Sequence, residues 1–308
     1  MGRQAQLKRK RRRAAAQGFE VPKRTQERDV DLLGSIRVLN GHMTESLCQE
    51  VFGETRIAER KRDWTLSALA RFWTAVILRK PKSLPQAFEE AKRANGSDEL
   101  WPKVEGTRQA FFDRSKTLRA DFFAGLFHRF VQSAMAEAVP GYCSEFTGLR
   151  RFFPEIFVID GSRLDKIAHR LKILRNVRSV VLPGNVLALY DLFRGCPRRL
   201  LFDADAASAE IPRARKLLEH IPEGTLLLGD RGFASVVLFS ELDERHLYGV
   251  LRLTKTLSFT RVGPASPRRK HDGGVLEDEF IDLGSGKTAT PQTVRLIRYR
   301  SGSFSIKL

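Results

Sequence analysis

Two aspartates close apolar strands in this sequence. Ile156-Phe157-Val158-Ile159 is a buried β-type run ended by Asp160, and Thr225-Leu226-Leu227-Leu228-Gly229 is another ended by Asp230. A side chain at such a position faces the crevice in which α/β folds place catalytic groups. Gly161 follows the first acid and Gly232 stands two positions after the second, and a residue without Cβ lets a large ligand approach the backbone. Arg231, beside the second acid, could hold a phosphate. The plain alternative for either aspartate is a turn or helix-capping residue.

Other constellations fail on spacing. Gly284-Ser285-Gly286-Lys287-Thr288 looks like part of a phosphate-binding loop, but the first glycine of that pattern would fall on Ile281, and the stretch reads as a hairpin turn. The six histidines have no partners at helical ligand spacing, and Cys48, Cys143 and Cys196 are too far apart in sequence to suggest a zinc site or a disulfide framework.

The elements that must position the two acids alternate from Ile156 onward. Short β-type runs around Ser179–Leu182, Val186–Leu192 and Arg199–Asp203 follow the first strand, and a helix spans about Ala209–His220. After the Asp230 strand come a helix over Ser235–Glu244 and a strand over Leu247–Leu253, which gives the order βββαβαβ. Beyond Thr254, strands are expected over Ser258–Val262, Val275–Leu283, Thr293–Arg300 and Ser303–Leu308, between Gly- and Pro-rich turns.

Ahead of this region the texture is helical. Between Asp31 and about Val139, apolar residues recur on one face, as in Leu66, Leu69, Ala70, Trp73, Ile77 and in Phe122, Phe123, Leu126, Phe127, Phe130. Aromatics placed this way belong to a core, and Arg108, Arg114 and Arg119 fall toward the polar side. Pro140-Gly141 closes the region and sets a boundary near Phe152. The expected divisions are a basic disordered arm over 1–28, an all-helical DNA-binding domain over 29–152, an α/β core over 153–253 and a β-rich segment over 254–308.

Charge points to a polyanionic partner. The 308 residues carry 54 Lys and Arg against 36 Asp and Glu, a formal charge of +18, and such an excess favours nucleic acid. Lys8, Arg9, Lys10, Arg11, Arg12 and Arg13 form an unbroken run suited to sequence-independent phosphate contact, because each neutralised phosphate releases a counterion. A second basic stretch, Arg163, Lys166, Arg170, Lys172, Arg175 and Arg178, follows Asp160, either lining a DNA channel or forming a solvated loop. No apolar run approaches the roughly 18 residues of a membrane span, so no membrane is expected as partner, and the unpaired cysteines fit a reducing, cytoplasmic setting.

Val158-Ile159-Asp160-Gly161-Ser162, Leu182-Pro183-Gly184 through Tyr190-Asp191, and Gly224-Thr225 through Phe233 resemble, in that order, the first-acid motif, the second and third strands and the second-acid motif of the DDE transposases of bacterial insertion sequences, in the insertion-sequence-four-like group whose catalytic domain carries a β-rich insertion. The resemblance covers at least residues 153 to 253. It implies a ribonuclease-H-like core whose first and fourth strands are neighbours, which would join Asp160 and Asp230 across 230 − 160 = 70 positions. It implies that both are catalytic and hold Mg²⁺ or Mn²⁺, hard cations that prefer oxygen ligands. The chemistry implied is in-line displacement at a DNA phosphodiester with two metals about 3.5–4 Å apart: water cuts at the transposon end, and the freed 3′-OH then attacks target DNA. Double-stranded DNA as partner, a homodimer on that DNA, and a bacterial, nucleoid-associated location belong to the same implication.

The sequence departs from the family at its third acid, which sits after the β-rich insertion in the pattern Tyr-x2-Arg-x3-Glu-x6-Lys. At the required offsets Tyr299 is followed by Gly302 and Ile306, and Tyr248 by Leu251 and Lys255. Glu277, Asp278, Glu279 and Asp282 sit on an alternating strand and are expected to face solvent. Asp203 and Asp205 end the strand before the first core helix, away from the other two acids. The reading is therefore a C-terminally truncated transposase with cleavage lost or weak, and with an incomplete β-rich segment whose unpaired edges predict aggregation or partial disorder beyond about Thr254. The alternatives are a non-catalytic DNA-binding remnant that represses transposition, and a ribonuclease-H-like nuclease.

Overall fold

The computed structural model describes residues 32–55, 64–117, 120–137, 144–168, 184–254, 257–264, 266–271, 273–284, 292–302 and 304–308. The basic arm lies outside them, as do Ser179–Leu182 and the basic stretch from Arg170 to Arg178.

Among the described residues six helices come first: α1 Leu32–His42, α2 Glu45–Thr55, α3 Leu66–Arg79, α4 Leu84–Ala94, α5 Arg108–Thr117 and α6 Ala120–Glu137. Their ends are written locally. Thr65 caps α3 by accepting the Ala68 N–H at 3.2 Å, and Lys80 closes it in the left-handed conformation. Ser83 caps α4, with Pro85 in the first turn where its missing N–H is not needed. Buried side chains of α3, α4 and α5 meet in an aromatic cluster of Trp64, Phe72, Phe88, Trp101 and Phe111, with ring centroids 4.8 to 5.8 Å apart. Each ring contributes on the order of 1.5–3 kcal/mol by leaving water, so these aromatics build a core and are not base-stacking platforms. Ile77 and Phe123, expected in the stripe, are exposed. Arg114 also departs from expectation: it is 1% exposed, with its guanidinium 5.5 Å from the centroid of the Phe52 ring, a cation–π placement that keeps the charge inside the helical layer.

A five-stranded sheet follows, in the order β3-β2-β1-β4-β5. Its strands are β1 Ile156–Arg163, β2 Asn185–Asp191, β3 Cys196–Asp203, β4 Leu226–Gly229 and β5 Tyr248–Leu251. β1–β2 and β2–β3 are antiparallel, whereas β1–β4 and β4–β5 are parallel. The short helix α7 Leu164–Ala168 follows β1, α8 Glu210–Leu218 connects β3 to β4, and α9 Val236–Glu244 connects β4 to β5. One face of the sheet presents Phe157, Ile159, Leu187 and Leu189 to Ala214, Leu217 and Leu218 of α8 and to Leu238 and Leu242 of α9. Of the stretch Leu182 through Asp191, expected to hold the second and third strands, the described residues from Gly184 onward hold one. Tyr190 and Asp191 end β2, and the third strand is Cys196–Asp203, reached through a tight turn in which Asp191 accepts the Arg194 N–H at 2.9 Å.

The C-terminal strands are β6 Phe259–Val262, β7 Arg269–His271, β8 Gly274–Leu283, β9 Gln292–Ser301 and β10 Phe304–Lys307. They form a second antiparallel sheet in the order β10-β9-β8-β6, with β7 also on β8. The described residues beyond Thr254 form paired strands. Leu253, Ile281, Leu283 and Leu296 make a core that packs on Val236 and Phe239 of α9, so the apolar face of this sheet is covered. Nor do its acids simply face solvent: Glu279 is 5% exposed and paired with Arg298 and Arg261, Glu277 with Arg268, and Asp278 with Arg295. Diagonal cross-strand positions bring Glu279 to Arg298 and Asp278 to Arg295 between β8 and β9, and Glu279 to Arg261 between β8 and β6. β8 and β9 pair from Leu283↔Gln292 onward; Ser285, Gly286, Lys287 and Thr288, read above as a hairpin turn, lie outside the described residues.

The helical layer packs on the β3 edge of the first sheet. His128 of α6 accepts the Leu200 N–H at 3.3 Å, and Met135 lies 3.8 Å from Cys196. Among the described residues no helix is long and apolar enough to cross a membrane.

Candidate active site

The parallel pairing of β1 with β4 sets the register Ile159↔Gly229. The next residue on each strand is an aspartate, so Asp160 and Asp230 stand side by side on neighbouring strands, which run about 4.8 Å apart. Both are exposed. Asp160 is still within β1, opposite Ala188 of β2, whereas Asp230 is the first residue past β4. Its turn is held from inside. One Asp230 carboxylate oxygen accepts the Gly232 N–H at 2.8 Å, the Asp230 carbonyl accepts the Phe233 N–H at 3.2 Å, and the Phe233 ring is buried in the sheet–helix core. Ser235 then caps α9 by accepting the Leu238 N–H at 3.1 Å.

Glu210, which the sequence reading did not single out, belongs to the same end of the sheet. It is the first residue of α8, and its carboxylate lies over the two glycines. A Cβ on Gly232 would meet Glu210 Oε2 at 3.0 Å and Asp230 Oδ1 at 3.2 Å, and a Cβ on Gly161 would meet Glu210 Cδ at 3.1 Å. Nothing in its sequence distinguishes it from an acid placed to complement a helix dipole.

The basic candidates surround this end. Arg163 closes β1, Lys166 lies one turn on in α7, and Arg231 follows the second acid; all three are exposed, and none forms an ion pair among the described residues. Lys8 to Arg13 lie outside the described residues. Asp203 and Asp205 are elsewhere: β3 is the sheet edge, with β2 between it and β1. Asp203 accepts the Asp205 N–H at 2.9 Å, which holds its carboxyl below the usual range.

Two exposed carboxylates beside backbone free of Cβ fit Mg²⁺ or Mn²⁺, which take one or two carboxylates and complete their shell with water and substrate phosphate. Among the described residues no group of three His, Cys, Asp or Glu side chains is drawn together as a metal cage. Among the described residues no cysteine or histidine joins the two acids to favour a softer ion.

Residues 176–301, less than half of the chain, match the family model described as transposase DDE domain. The segment matches a DDE transposase. It takes in Glu210 and Asp230 and begins 176 − 160 = 16 positions after Asp160. No curated protein matches the chain. A solved structure described as a cryo-EM structure of piggyBac transposase synaptic complex with hairpin DNA resembles it with a TM-score of 0.28 and 11% identity, over 86% of this chain. This chain spans 60% of that one, a likeness too loose to bear on any residue's role.

Proposed function

We propose that this protein cuts and joins DNA as a DDE-type transposase, with Asp160 and Asp230 as catalytic metal ligands. The observation that carries the reading is the β1–β4 register, which aligns two aspartates 70 positions apart at the end of paired parallel strands, in a chain whose 176–301 segment matches the transposase DDE domain. The strand order with two antiparallel and two parallel pairings supports a ribonuclease-H-like core over 153–253, with a helical DNA-binding domain before it and the β-rich segment after it. The insertion-sequence-four-like group remains the proposed relative.

Asp160 and Asp230 would hold Mg²⁺ or Mn²⁺, which when bound supplies charge stabilisation at the phosphate and activation of the attacking oxygen. The protein's own part is placement. Gly232 N–H orients one oxygen of Asp230, and the space that a Cβ on Gly161 or Gly232 would take is filled by the Glu210 carboxylate. Arg163, Lys166 and Arg231 hold phosphates on either side of the acids, while the Lys8–Arg13 run adds sequence-independent affinity. Two copies would pair the transposon ends.

The test is metal-dependent cutting and joining by the full chain, on a supercoiled plasmid carrying the DNA that flanks its gene. Mg²⁺- or Mn²⁺-dependent nicking and end joining are expected, and are lost in Asp160→Asn and Asp230→Asn. Because both side chains are exposed, these changes should alter folding stability by no more than about 0.5 kcal/mol. DNA binding without any metal-dependent cutting would refute the enzyme and leave the DNA-binding alternative.

A further inference from the structure

The geometry points to a second binding site: a cavity between α6 and the first sheet takes a small phosphorylated ligand with an apolar body, of mononucleotide size. The cavity encloses about 700 Å³, within the usual range of small-molecule sites. Its lining includes neither aspartate and none of the basic residues beside them. His220, just past the end of α8, contributes to it, whereas Glu210 at the start of that helix lies over the glycines beside the acids. About 13 Å of helix separate the two.

Three observations converge on it. The first is how β3 delivers charge. Arg198 and Arg199 are consecutive, and on a regular strand their side chains leave opposite faces of the sheet. Here the register slips: Leu189 pairs with Arg199 but Tyr190 with Pro197, so Arg198 is the extra residue of a bulge, a device that re-aims a side chain. Both arginines line the cavity. Arg199 stands opposite Leu189, which is 1% exposed, at a position where the alternation that places Leu201 against the core calls for an apolar residue.

The second is charge balance. Arg129, Arg194, Arg198 and Arg199 line the cavity with a single carboxylate, Glu54, which is paired with Arg129. Arg194 and Arg198 share Asp191, at 2.8 and 3.5 Å. Arg199 has neither an ion pair nor a side-chain hydrogen bond among the described residues. Burial, and then the charge of Arg199, lower the pKa of both His128 and His220, which also line the cavity. Cations crowded in this way repel one another, and an anion offsets the repulsion. Guanidinium groups hold phosphate through paired N–H bonds.

The third is shape. Val131, Met135, Phe157, Leu189 and Pro222 give the cavity an apolar side. Phe157 is 2% exposed, so the recess reaches the core of the sheet. A duplex carries its phosphates on a convex surface and cannot follow them there, whereas a phosphate monoester can lay its body on the apolar side and its phosphate against the arginines.

The experiment is titration calorimetry of the full chain, without DNA or metal, against AMP, adenosine and inorganic phosphate, with unfolding midpoints recorded alongside. AMP should raise the midpoint and bind at least about tenfold tighter than either fragment. Arg199→Gln should weaken AMP at least about tenfold, the worth of one charge-assisted hydrogen bond, without lowering the ligand-free midpoint, since it removes an unpaired cation. Arg129→Gln, at an exposed position of α6, should also weaken AMP, and decides alone if Arg199→Gln does not fold. No AMP binding at about 1 mM, an Arg199→Gln affinity within about twofold of wild type, or inorganic phosphate binding as tightly as AMP overturns the proposal. Displacement of AMP by a short DNA duplex overturns it too, by making the cavity part of a DNA-binding surface. These readouts involve neither metal nor the two aspartates, so they stand or fall separately from the proposed transposase activity.

Discussion

Gly161→Ala tests how firmly the Glu210 carboxylate is held over the two glycines. Optimal separation between non-bonded carbons is about 3.5–4.0 Å, so Glu210 Cδ, which lies 3.1 Å from the new Cβ, must retreat by roughly 0.5–1 Å. The obstacle is the far end of a flexible side chain with no hydrogen-bond or ion-pair partner among the described residues, so the retreat costs no more than about 0.5–1.5 kcal/mol of rotamer strain. Against this, alanine within a strand is favoured over glycine by roughly 0.5–1 kcal/mol. The net change in stability is therefore within about 1 kcal/mol of zero. Thermal unfolding reads it. A loss above about 2 kcal/mol would show that the Cβ meets something rigid and refutes the reasoning.

Two further outcomes follow from groups away from the site. Glu279→Ala removes the nearer carboxylate partner of Arg298, itself 10% exposed, and leaves Glu277 at 3.8 Å; urea unfolding should show a loss of about 1–3 kcal/mol, most of it recovered when both Glu279 and Arg298 are replaced by leucine. Burial, and then the neighbouring Arg199, lower the pKa of His128, while the Leu200 N–H needs its neutral ring as acceptor. The unfolded chain then binds the proton more readily, so stability is full above about pH 6.5 and falls as pH drops toward the lowered native value. Replacing His128 with Gln should flatten that dependence in pH-resolved unfolding.

The fold was legible where periodicity was strong and flanked by punctuation. The strands that carry Asp160 and Asp230 are continuous apolar runs, the helices that become α8 and α9 show apolar faces, and Ser235 announces its cap, so all appear within a few residues of expectation. The expected strand Ser179–Leu182 lies outside the described residues, and β2 starts at Asn185, just past Gly184. β7, three exposed residues from Arg269 to His271, has no apolar signal; it exists because β8 offers an unpaired edge. Arg114 was placed on the polar side because side-chain charge was taken as a proxy for exposure. Long basic side chains bury well beside aromatic rings, and Phe52 is 114 − 52 = 62 positions before Arg114, a separation that no local pattern spans.

The same limit explains the site. Asp160 and Asp230 could be singled out because each closes a strand, a property of neighbouring residues. Glu210 could not, because Ala-Glu-Ile-Pro at a helix start is common and its meaning lies in Gly161 and Gly232, 49 positions before it and 22 after it. The helix that enters β4 starts beside the open end of β1 and β4, since α8 packs along the sheet face formed by Phe157, Ile159, Leu187 and Leu189 and must begin above it to deliver the chain to β4 in parallel with β1. An acid at its first position is therefore brought by topology to the glycines that follow both aspartates.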